Sequence, residues 1–509
     1  MSSSLTRRSF LGLGAAAGTA TLLAACGDGT VVAPGTAGGT LRWGWSSVTS
    51  WDPVTSSAGW DVHLLSLVYA GLTKLDEQGN AVPALATGWK YDSAGTTLTF
   101  TLRPGLKFSD GTALDAAAVQ KSLERGRDLP KSLVAAQLAN VTSVTAPDAT
   151  TVVLGLAQPD YQIPNLLAGK TGMIVSPAAI DADAAALATK PVGAGPFTLT
   201  SYVQNAKAVL TRNPDYWDAA NIKLGGFEAY PLPEPATVVA ALQSGQYDVA
   251  QIPGSQVEAA KAAGLQVQVI PSLVVAVLDV NITKKPFDDP KVTEALRYAV
   301  DRAALLKTAQ FGHGEVAYQP FPKGYAGYSN SLEGIYQYDP GKAKQLLAQS
   351  SYGTSPVEVV ITTAKAEGVP EQLQSQLNAA GFKATIEVIP QAQATQLVYV
   401  QHSKALFVDQ FAGRDSAVQA FQVLFGKEGL MNPGRQTPQE LVDALAKVSR
   451  TPLDDPSYPS VLQAATAVAV RSMPNVFLYS VPRILARRAN VSAIPGFTVV
   501  QRFEGVTVS

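Results

Sequence analysis

From about residue 40 onward, the chain alternates between segments with the period of a β-strand and segments with the period of an α-helix. Residues 96–102 alternate polar and apolar side chains, which predicts a half-buried strand. A helix is predicted at 115–125, and hairpins are predicted at 143–156 and 197–211, where turn-forming residues interrupt the apolar runs. This part of the chain therefore combines antiparallel strands with helices.

Beyond residue 234 the pattern changes to strands that alternate regularly with helices, which is typical of α/β folds. The helices predicted in this part are 236–242 and 256–263, and the strands are 247–252, 265–270, 274–281, 406–408 and 476–478.

Several helix starts are marked by capping residues. Asp289 precedes a segment in which Val292 and Leu296 recur at helical spacing, and Asp339 stands before a proline in the first helical position. Thr437-Pro438-Gln439-Glu440 has the sequence of a capping box. Taken with the strand pattern, these signals predict two α/β lobes that are joined by extended crossovers.

Composition supports a large globular protein. Of the 509 residues, 46% are hydrophobic and 16% are charged, which excludes a disordered chain. A mature chain of about 480 residues exceeds what one hydrophobic core organises, so two or three lobes are expected. Without Arg7 and Arg8, the mature chain has 37 basic side chains (39 − 2) and 40 acidic ones, so it has no excess of positive charge with which to bind nucleic acid.

The first 26 residues have the layout of an export signal. Arg7 and Arg8 precede an uncharged stretch at 10–25, which ends in Leu23-Ala24-Ala25-Cys26. The arginine pair resembles the twin-arginine export signal. Leu-Ala-Ala-Cys resembles the lipobox of bacterial lipoproteins, in which the cysteine sulfur receives a diacylglyceryl group. We therefore expect a signal peptide at 1–25 and a lipid anchor at Cys26, the single cysteine of the chain.

The predicted tether, residues 26–38, is rich in glycine and has little to bury. It would link the lipid anchor to a globular body on the outer side of a bacterial membrane. No later stretch of the sequence is long and apolar enough to predict a membrane span.

Several blocks of the chain resemble family 5 solute-binding proteins of ABC importers, which include oligopeptide-, dipeptide- and nickel-binding lipoproteins. The likeness covers nearly the whole mature chain in the order of the family. The blocks are Trp51-Asp52-Pro53, 68–72, 83–89, 98–111, 122–125, 191–197, 212–217, 286–292 and 298–302. We expect most of these residues to have structural roles, with Trp89 and Trp217 as packing aromatics.

The resemblance implies an α/β fold of the two-lobed periplasmic-binding-protein type (large, cluster C), with an extra subdomain and a hinge. Lobe I would comprise 39–60, 190–272 and 476–509, with an inserted subdomain at 61–189, and lobe II would comprise 273–475. The crossings would then fall near 271–277 and 473–480. Such lobes close over a ligand about their hinge.

The resemblance also implies a ligand contact in the segment 409–416. In peptide-binding members, a carboxylate in the matching segment pairs with the amino group of the ligand. In this chain Asp415 stands at the position of that carboxylate, with Phe411 and Gly413 nearby. Ser416 stands where the family usually has proline, and Arg414 adds a cation beside Asp415. Arg414 could thus neutralise Asp415 or bind a ligand carboxylate, and Asp415 could equally cap the predicted helix 417–425.

On lobe I, the resemblance points to the segment after the first strand. Trp45, Ser46 and Ser47 follow that strand, where family members often present backbone and hydroxyl groups to a ligand. An aromatic ring beside small polar residues suits a cleft. Trp45 could equally belong to the core.

Other chemistry has little support in the sequence. His63, His313 and His402 are scattered and lie in no metal-binding motif, and no nucleotide-binding or hydrolase motif occurs, so neither a metal, a cofactor nor an enzyme is expected. We predict a monomeric solute-binding lipoprotein that delivers a small solute, above all a peptide, to an ABC permease. A ligand sensor, an envelope chaperone with the same cleft and a secreted hydrolase are the alternatives.

Overall fold

The strands of the chain pair into a seven-stranded, a five-stranded, a four-stranded and a two-stranded sheet. The structure is a computed structural model, and it describes residues 38–232, 234–364, 368–414, 416–496 and 499–509. The predicted signal peptide and nearly all of the predicted tether lie outside the described residues.

The strands, numbered in chain order, are β1 (Thr40–Trp45), β2 (Thr73–Leu75), β3 (Ala81–Pro83), β4 (Ala86–Tyr91), β5 (Thr97–Leu102), β6 (Val141–Thr145), β7 (Thr151–Leu156), β8 (Phe197–Val203), β9 (Lys207–Arg212), β10 (Gly226–Pro231), β11 (Val249–Gln251), β12 (Gln266–Ile270), β13 (Val275–Val280), β14 (Val357–Thr363), β15 (Phe382–Val388), β16 (Leu406–Phe411), β17 (Val476–Ser480) and β18 (Arg483–Arg487).

The α-helices are α1 (Val62–Val68), α2 (Ala116–Asp128), α3 (Ile163–Leu166), α4 (Pro177–Asp183), α5 (Pro235–Gln243), α6 (Val257–Ala262), α7 (Pro290–Tyr298), α8 (Arg302–Gln310), α9 (Pro340–Ala348), α10 (Val369–Ala379), α11 (Gln391–Ala394), α12 (Ala417–Phe425), α13 (Gln439–Ser449) and α14 (Tyr458–Ser472).

The first lobe is built on the seven-stranded sheet, in the order β12-β18-β11-β1-β10-β9-β8. Its centre is parallel, since β1 pairs with both β10 and β11. On one face, Trp43 packs edge-on against Phe227, with their ring centroids 5.7 Å apart. Buried residues of α5 and α6, such as Leu242 and Val257, cover the other face. Both faces of the centre are thus buried, as a parallel sheet requires.

The second lobe is built on the five-stranded sheet, in the order β15-β14-β16-β13-β17. All six residues of β13 are buried, because α12 and α14 cover one face of the sheet and α7, α9 and α10 cover the other. This explains the long apolar run that the sequence shows at 274–281.

We call residues 72–167 the insert, because they have a hydrophobic core of their own. Its four-stranded antiparallel sheet has the order β4-β5-β7-β6, and α2 packs against β6 and β7. Leu98, Phe100 and Leu102 point into this core, as the period of two predicts.

The chain crosses between the two large sheets twice. The first crossing runs from the end of β12 to the start of β13, at residues 271–274, and the second runs from β17 to β18, at residues 481–482. The two crossings are hydrogen-bonded to each other. Ser272 Oγ donates to Val481 O over 2.6 Å, and Val481 N donates to Val274 O over 2.8 Å.

Three of the expected boundaries need correction. Residues 476–480 were expected in lobe I, but β17 pairs with β13 in the second lobe, so the second crossing follows Ser480. The inserted subdomain was expected to begin at 61, but Leu64, Leu65 and Leu67 of α1 pack in the core of the first lobe. Both segments are short and apolar, and their pattern alone does not say which core they enter. The inserted subdomain was also expected to end at 189, but Met173, Val175 and Leu187 pack in the core of the first lobe. The remaining lobe limits stay a prediction.

The expected helix caps are present with one exception. The carboxylates of Asp289 and Asp339 each accept a hydrogen bond from a backbone N–H in the first turn. Asp115, for which no cap was predicted, does the same for α2. The capping box predicted at 437–440 was wrong. The hydroxyl of Thr437 donates instead to Phe425 O, and α13 begins at Gln439 without a side-chain cap.

Candidate functional site

A cavity of about 550 Å³ lies between the insert and the second lobe. One wall is formed by insert residues around 136–140 and 157–166, and the other by described residues of the second lobe at 414, 416–423 and 446–450. Its volume lies within the range of small-molecule sites, about 300–1,000 Å³. Among the described lining residues, the charged ones are Asp160, Arg414 and Arg450, and most of the other polar ones are amides.

The insert wall is held by hydrogen bonds within the loop that follows β7. Asp160 Oδ1 accepts from the backbone N–H of Gln162 over 2.9 Å, and burial raises the pKa of the Asp160 carboxyl above its ordinary value. The side-chain amide of Asn140 fixes the same loop, since its Nδ2 donates to Gln158 O and its Oδ1 accepts from Gln158 N. The loop that forms this wall is therefore held by its own hydrogen bonds.

The wall from the second lobe is the loop after β16 and the first turns of α12. Ser416 caps this helix, with its Oγ accepting from Gln419 N over 3.2 Å. The guanidinium of Arg414 lies 5.3 Å from the centre of the Phe411 ring, and its Nη1 donates to Gly413 O over 2.5 Å. The cation and the helix N-terminus lie on the same wall, which favours an anionic group of a ligand there.

Two hydrogen bonds join the walls beside the cavity. The backbone N–H of Tyr161 in the insert donates to Ser449 O at the end of α13, over 2.9 Å. The hydroxyl of Tyr458, the first residue of α14, donates to Gln162 Oε1 over 3.1 Å. The insert and the second lobe are thus in direct contact in this structure.

The structure separates the two groups of predicted site residues. Arg414 lines the cavity, but the described part of its wall includes none of Trp45, Ser46 and Ser47. Ser46 and Ser47 line a much smaller pocket on the first lobe, together with Tyr202 and Lys207.

Trp45 lies at the end of β1, in an aromatic cluster. Its ring stacks on Trp43 at 5.0 Å and meets the edge of His63 at 4.8 Å. Burial, with the charge of Arg483, lowers the pKa of His63 well below its ordinary value, and Nδ1 of this neutral ring accepts from Gln501 N over 2.9 Å. Trp45 remains half-buried, so its place in a ligand cleft stays a prediction.

Phe411 requires a correction. The resemblance placed it among the ligand contacts, but its side chain is 1% exposed and lies in the core of the second lobe with Phe421 and Phe477. Its ring therefore has no surface to offer a ligand, although its face supports Arg414. Gly413 is buried against Leu273 with a φ of +74°, a conformation that glycine adopts without strain.

Four further predicted residues lie outside the described residues. Asp415 falls in the short gap between Arg414 and Ser416, and Arg7, Arg8 and Cys26 precede residue 38. Within the ranges that the structure describes, no group of three or more metal-binding side chains occurs, and no helix has the length and apolar character that a membrane span requires.

Of the described cavity residues, sequence reasoning predicted only Arg414; those that it missed include Gln162 and Gln419. Each has a buried amide atom without a hydrogen-bond partner in the described part of the chain, namely Gln162 Nε2 and Gln419 Oε1. A glutamine in a loop or on a helix carries no sequence signal of this kind. Only the folded structure shows that Gln162 and Gln419 belong to opposite walls of one cavity.

Comparison with known proteins identifies the family. Residues 80–430 match the family model described as "Bacterial extracellular solute-binding proteins, family 5 Middle". The chain belongs to this family. It is therefore an extracellular solute-binding protein, and the family expected from the sequence motifs is confirmed.

Curated relatives of this solute-binding protein include the glutathione-binding protein GsiB of Escherichia coli (strain K12). It is 30% identical over 435 residues, which cover 82% of this chain and 84% of the relative. The GsiB protein of Salmonella paratyphi A is 31% identical over 399 residues, covering 77% of this chain and 76% of the relative.

Solved structures of other proteins show the same fold. The binding protein DppA from Helicobacter pylori, in complex with the peptide STSA, has a TM-score of 0.79 at 23% identity and covers 93% of this chain and 98% of its own. NikA from Staphylococcus aureus, in complex with Ni(L-His)2, has a TM-score of 0.75 at 20% identity, with 93% and 100% covered. The two-lobed periplasmic-binding-protein architecture predicted from the sequence is confirmed.

Proposed function

We propose that this solute-binding protein captures a short peptide in the cavity between the insert and the second lobe and delivers it to the permease of an ABC importer. The observation that carries this proposal is the cavity itself. It has the volume of a small ligand, amide groups and charges of both signs on its walls, and Arg414 in the segment that the family motif assigns to ligand contacts.

The relatives support a peptide. GsiB is named as a glutathione-binding protein, and DppA from H. pylori was solved with the peptide STSA. A peptide offers alternating carbonyl and N–H groups, and these match the amide side chains that line the cavity.

Closure about the two crossings would couple binding to delivery. A ligand that contacts both the insert and the second lobe favours the arrangement in which these walls meet, because only that arrangement satisfies both sets of contacts. The hydrogen-bonded crossings at 271–274 and 481–482 suit a hinge, since they are short and connect the two large sheets.

The proposed location is the outer side of a bacterial membrane. A lipid anchor at Cys26 and export through a receptor that reads Arg7 and Arg8 would place a monomeric body there, with the tether giving it reach toward the permease. The family, which is named for extracellular proteins, supports this location.

The direct test is mass spectrometry of the small molecules that denaturation releases from the purified mature protein. A peptide bound in near-stoichiometric amount is expected. Adding that peptide back at a hundredfold excess over Kd should stabilise the protein by about 2.7 kcal/mol. Release of a non-peptide solute would overturn the peptide assignment, and turnover of added peptides or esters would favour a hydrolase.

A further inference from the structure

Asp160 is the acidic residue among the described residues of the cavity wall. The other charged ones, Arg414 and Arg450, belong to the wall from the second lobe. Asp160 is half-buried, so part of its surface stays within reach of solvent. The wall from the insert therefore carries negative charge, and the facing wall carries positive charge.

The carboxylate of Asp160 has one oxygen without a protein partner. Its Oδ1 accepts from Gln162 N over 2.9 Å, whereas no described residue donates a hydrogen bond to Oδ2, which is not shut off from solvent. Burial raises the pKa of this carboxyl, while the N–H of Gln162 and the side-chain amide of Asn140 lower it in part. No cation of the described ranges lies close enough to lower it further. Asp160 is thus a partly desolvated carboxylate without a cationic partner in the described chain.

The backbone of Asp160 is fixed where the insert meets the second lobe. The hydroxyl of Tyr91 donates to Asp160 O over 2.8 Å, and the Tyr91 ring lies 4.5 Å from the ring of Tyr161. Tyr161 N in turn donates to Ser449 O of the second lobe. Burial raises the pKa of Tyr458 in that lobe to about 12, and the nearby charge of Asp160 adds to the rise. The negative charge therefore acts across the boundary between the two bodies.

A turn by itself does not require this charge. The hydrogen bond from Gln162 N closes a turn that aspartate and asparagine both form through a side-chain oxygen. Asparagine would make the same turn without placing a charge in a partly desolvated wall, which costs free energy. The turn therefore accounts for one oxygen of Asp160 and leaves its charge unexplained.

A cation of the ligand accounts for the charge. An ammonium or guanidinium group pairs well with a carboxylate, and partial burial makes the attraction stronger than it is in water. We propose that Asp160 forms a cation subsite of the cavity, which selects ligands that direct an amino or guanidinium group toward the insert. This inference rests on the proposed function and names the ligand charge that the cavity prefers. The carboxylate that the family motif assigns to a ligand amine is Asp415, so Asp160 would be an additional acidic contact from the insert.

Arg450 offers a competing explanation. It follows Ser449 directly, so the hydrogen bond from Tyr161 N to Ser449 O brings Asp160 and Arg450 to adjoining positions across the boundary. Further closure could join their side chains and make Asp160 a latch between the insert and the second lobe. Arg450 is exposed, however, and water already solvates its charge, so such a pair would gain little.

The test uses the mature protein and pairs of tripeptide probes that differ by one positive charge. Trialanine is compared with N-acetyl-trialanine, which tests the terminal amino group. Lysine at each position of trialanine is compared with norleucine at the same position, which tests a basic side chain. Titration calorimetry should show that wild type binds the cationic member of at least one pair about tenfold more tightly, because the neutral member leaves the carboxylate unpaired.

Asp160→Asn should lose this preference and bind the neutral probes as wild type does, since asparagine keeps an oxygen that accepts from Gln162 N. Asp148→Asn is the matched control. Asp148 is exposed in the turn between β6 and β7 of the insert, where its Oδ1 likewise accepts from a backbone N–H, that of Thr150. This variant should keep the preference. The melting temperature of each ligand-free variant shows whether its fold is intact.

The outcomes separate this inference from the proposed function. If wild type binds peptides without preference in any pair, or if Asp160→Asn keeps the preference, the cation subsite is wrong and peptide capture stands. If Asp160→Asn and Arg450→Gln weaken the neutral and the cationic probes equally, the two residues form a latch and the subsite is likewise wrong.

Mass spectrometry of the compounds released from wild type and Asp160→Asn covers the remaining cases. A non-peptide amine that only wild type releases would support the subsite and overturn peptide capture. If wild type binds no probe and releases no cationic compound, both are overturned.

Discussion

The guanidinium of Arg125 forms a two-point ion pair with the carboxylate of Asp52. Nη1 lies 2.9 Å from Oδ1, and Nη2 lies 2.6 Å from Oδ2. The two side chains are 10% and 3% exposed. Asp52 belongs to the Trp51-Asp52-Pro53 block, and Arg125 ends the block at 122–125 on α2. Two of the segments that identify the family are therefore joined to each other, and they tie the insert to the first lobe.

Replacing Arg125 with alanine should destabilise the protein by about 3–5 kcal/mol, because the substitution leaves the charge of Asp52 buried without its partner. Urea denaturation followed by circular dichroism measures the loss. Arg127→Ala is the matched control on the same helix, since the partner of Arg127 is the exposed Asp128, and this variant should change stability little. Equal losses in the two variants would contradict the structural role of the Asp52–Arg125 pair.

Tyr399 bridges two carboxyl groups inside the second lobe. Its hydroxyl lies 2.5 Å from Oδ2 of Asp279 and 2.5 Å from Oδ2 of Asp409. A phenol has one hydrogen to donate, so the second short contact needs a proton on one of the carboxyl groups. Burial raises the pKa of Asp279 well above its ordinary value, and the charge of Asp409 raises it further. Burial raises the pKa of Asp409 as well, but the pKa of Asp279 stands well above its ordinary value, so we expect the proton on Asp279.

Asp279→Asn should make the protein more stable than wild type at alkaline pH. The folded-state pKa of Asp279 lies above the unfolded value of about 3.9, so its stabilising contribution is complete below that value and is lost as the pH rises through the folded-state pKa. Asparagine supplies the missing hydrogen at every pH, while its oxygen still accepts from Asn475.

The melting temperatures of wild type and Asp279→Asn, compared across pH, check this prediction. The difference in favour of the variant should grow as the pH rises. The exposed Asp288 provides the control, since Asp288→Asn should show no such trend. A difference that stays constant across pH would mean that Asp279 holds no proton in the folded protein.

Ser416 and Asp415 should have separable roles. Ser416 caps α12, so Ser416→Ala should lower the free energy of unfolding by about 1 kcal/mol. Asp415→Asn should instead weaken ligand binding by about 1.5–3 kcal/mol if Asp415 contacts a ligand cation. Titration calorimetry and thermal unfolding of both variants distinguish these effects, and an unchanged affinity in Asp415→Asn would remove Asp415 from the site.

Replacing Cys26 with serine should release the protein from membranes or leave it unprocessed, because serine has no sulfur to receive the lipid. Cell fractionation with immunoblotting measures both outcomes. A Cys26→Ser protein of mature size that still fractionates with membranes would contradict the lipid anchor.

Changing both Arg7 and Arg8 to lysine should block export, since lysine does not reproduce the planar guanidinium that a receptor reads. The precursor should then accumulate in the cytoplasm, where a pulse-chase experiment detects it. Normal export of this double variant would point to the general secretory route.

Much of the fold could be predicted from local patterns. The strand expected at 96–102 is β5, the helix expected at 236–242 lies within α5, and the long apolar run at 274–281 is the buried strand β13. Family blocks also identified residues whose roles became visible only in the structure. Arg302, for example, is buried and donates from Nε to Phe477 O over 2.7 Å, which holds β17 in the second sheet.

The periodic elements, most of the helix caps and the family could be predicted from the chain alone, because each depends on residues that are close in sequence or on motifs kept in a fixed order. In contrast, the tertiary packing was needed to show that Phe411 belongs to the core, that β17 lies in the second lobe and that Gln162 meets Tyr458. These relationships depend on which surfaces approach each other, and residues far apart in sequence provide the partners.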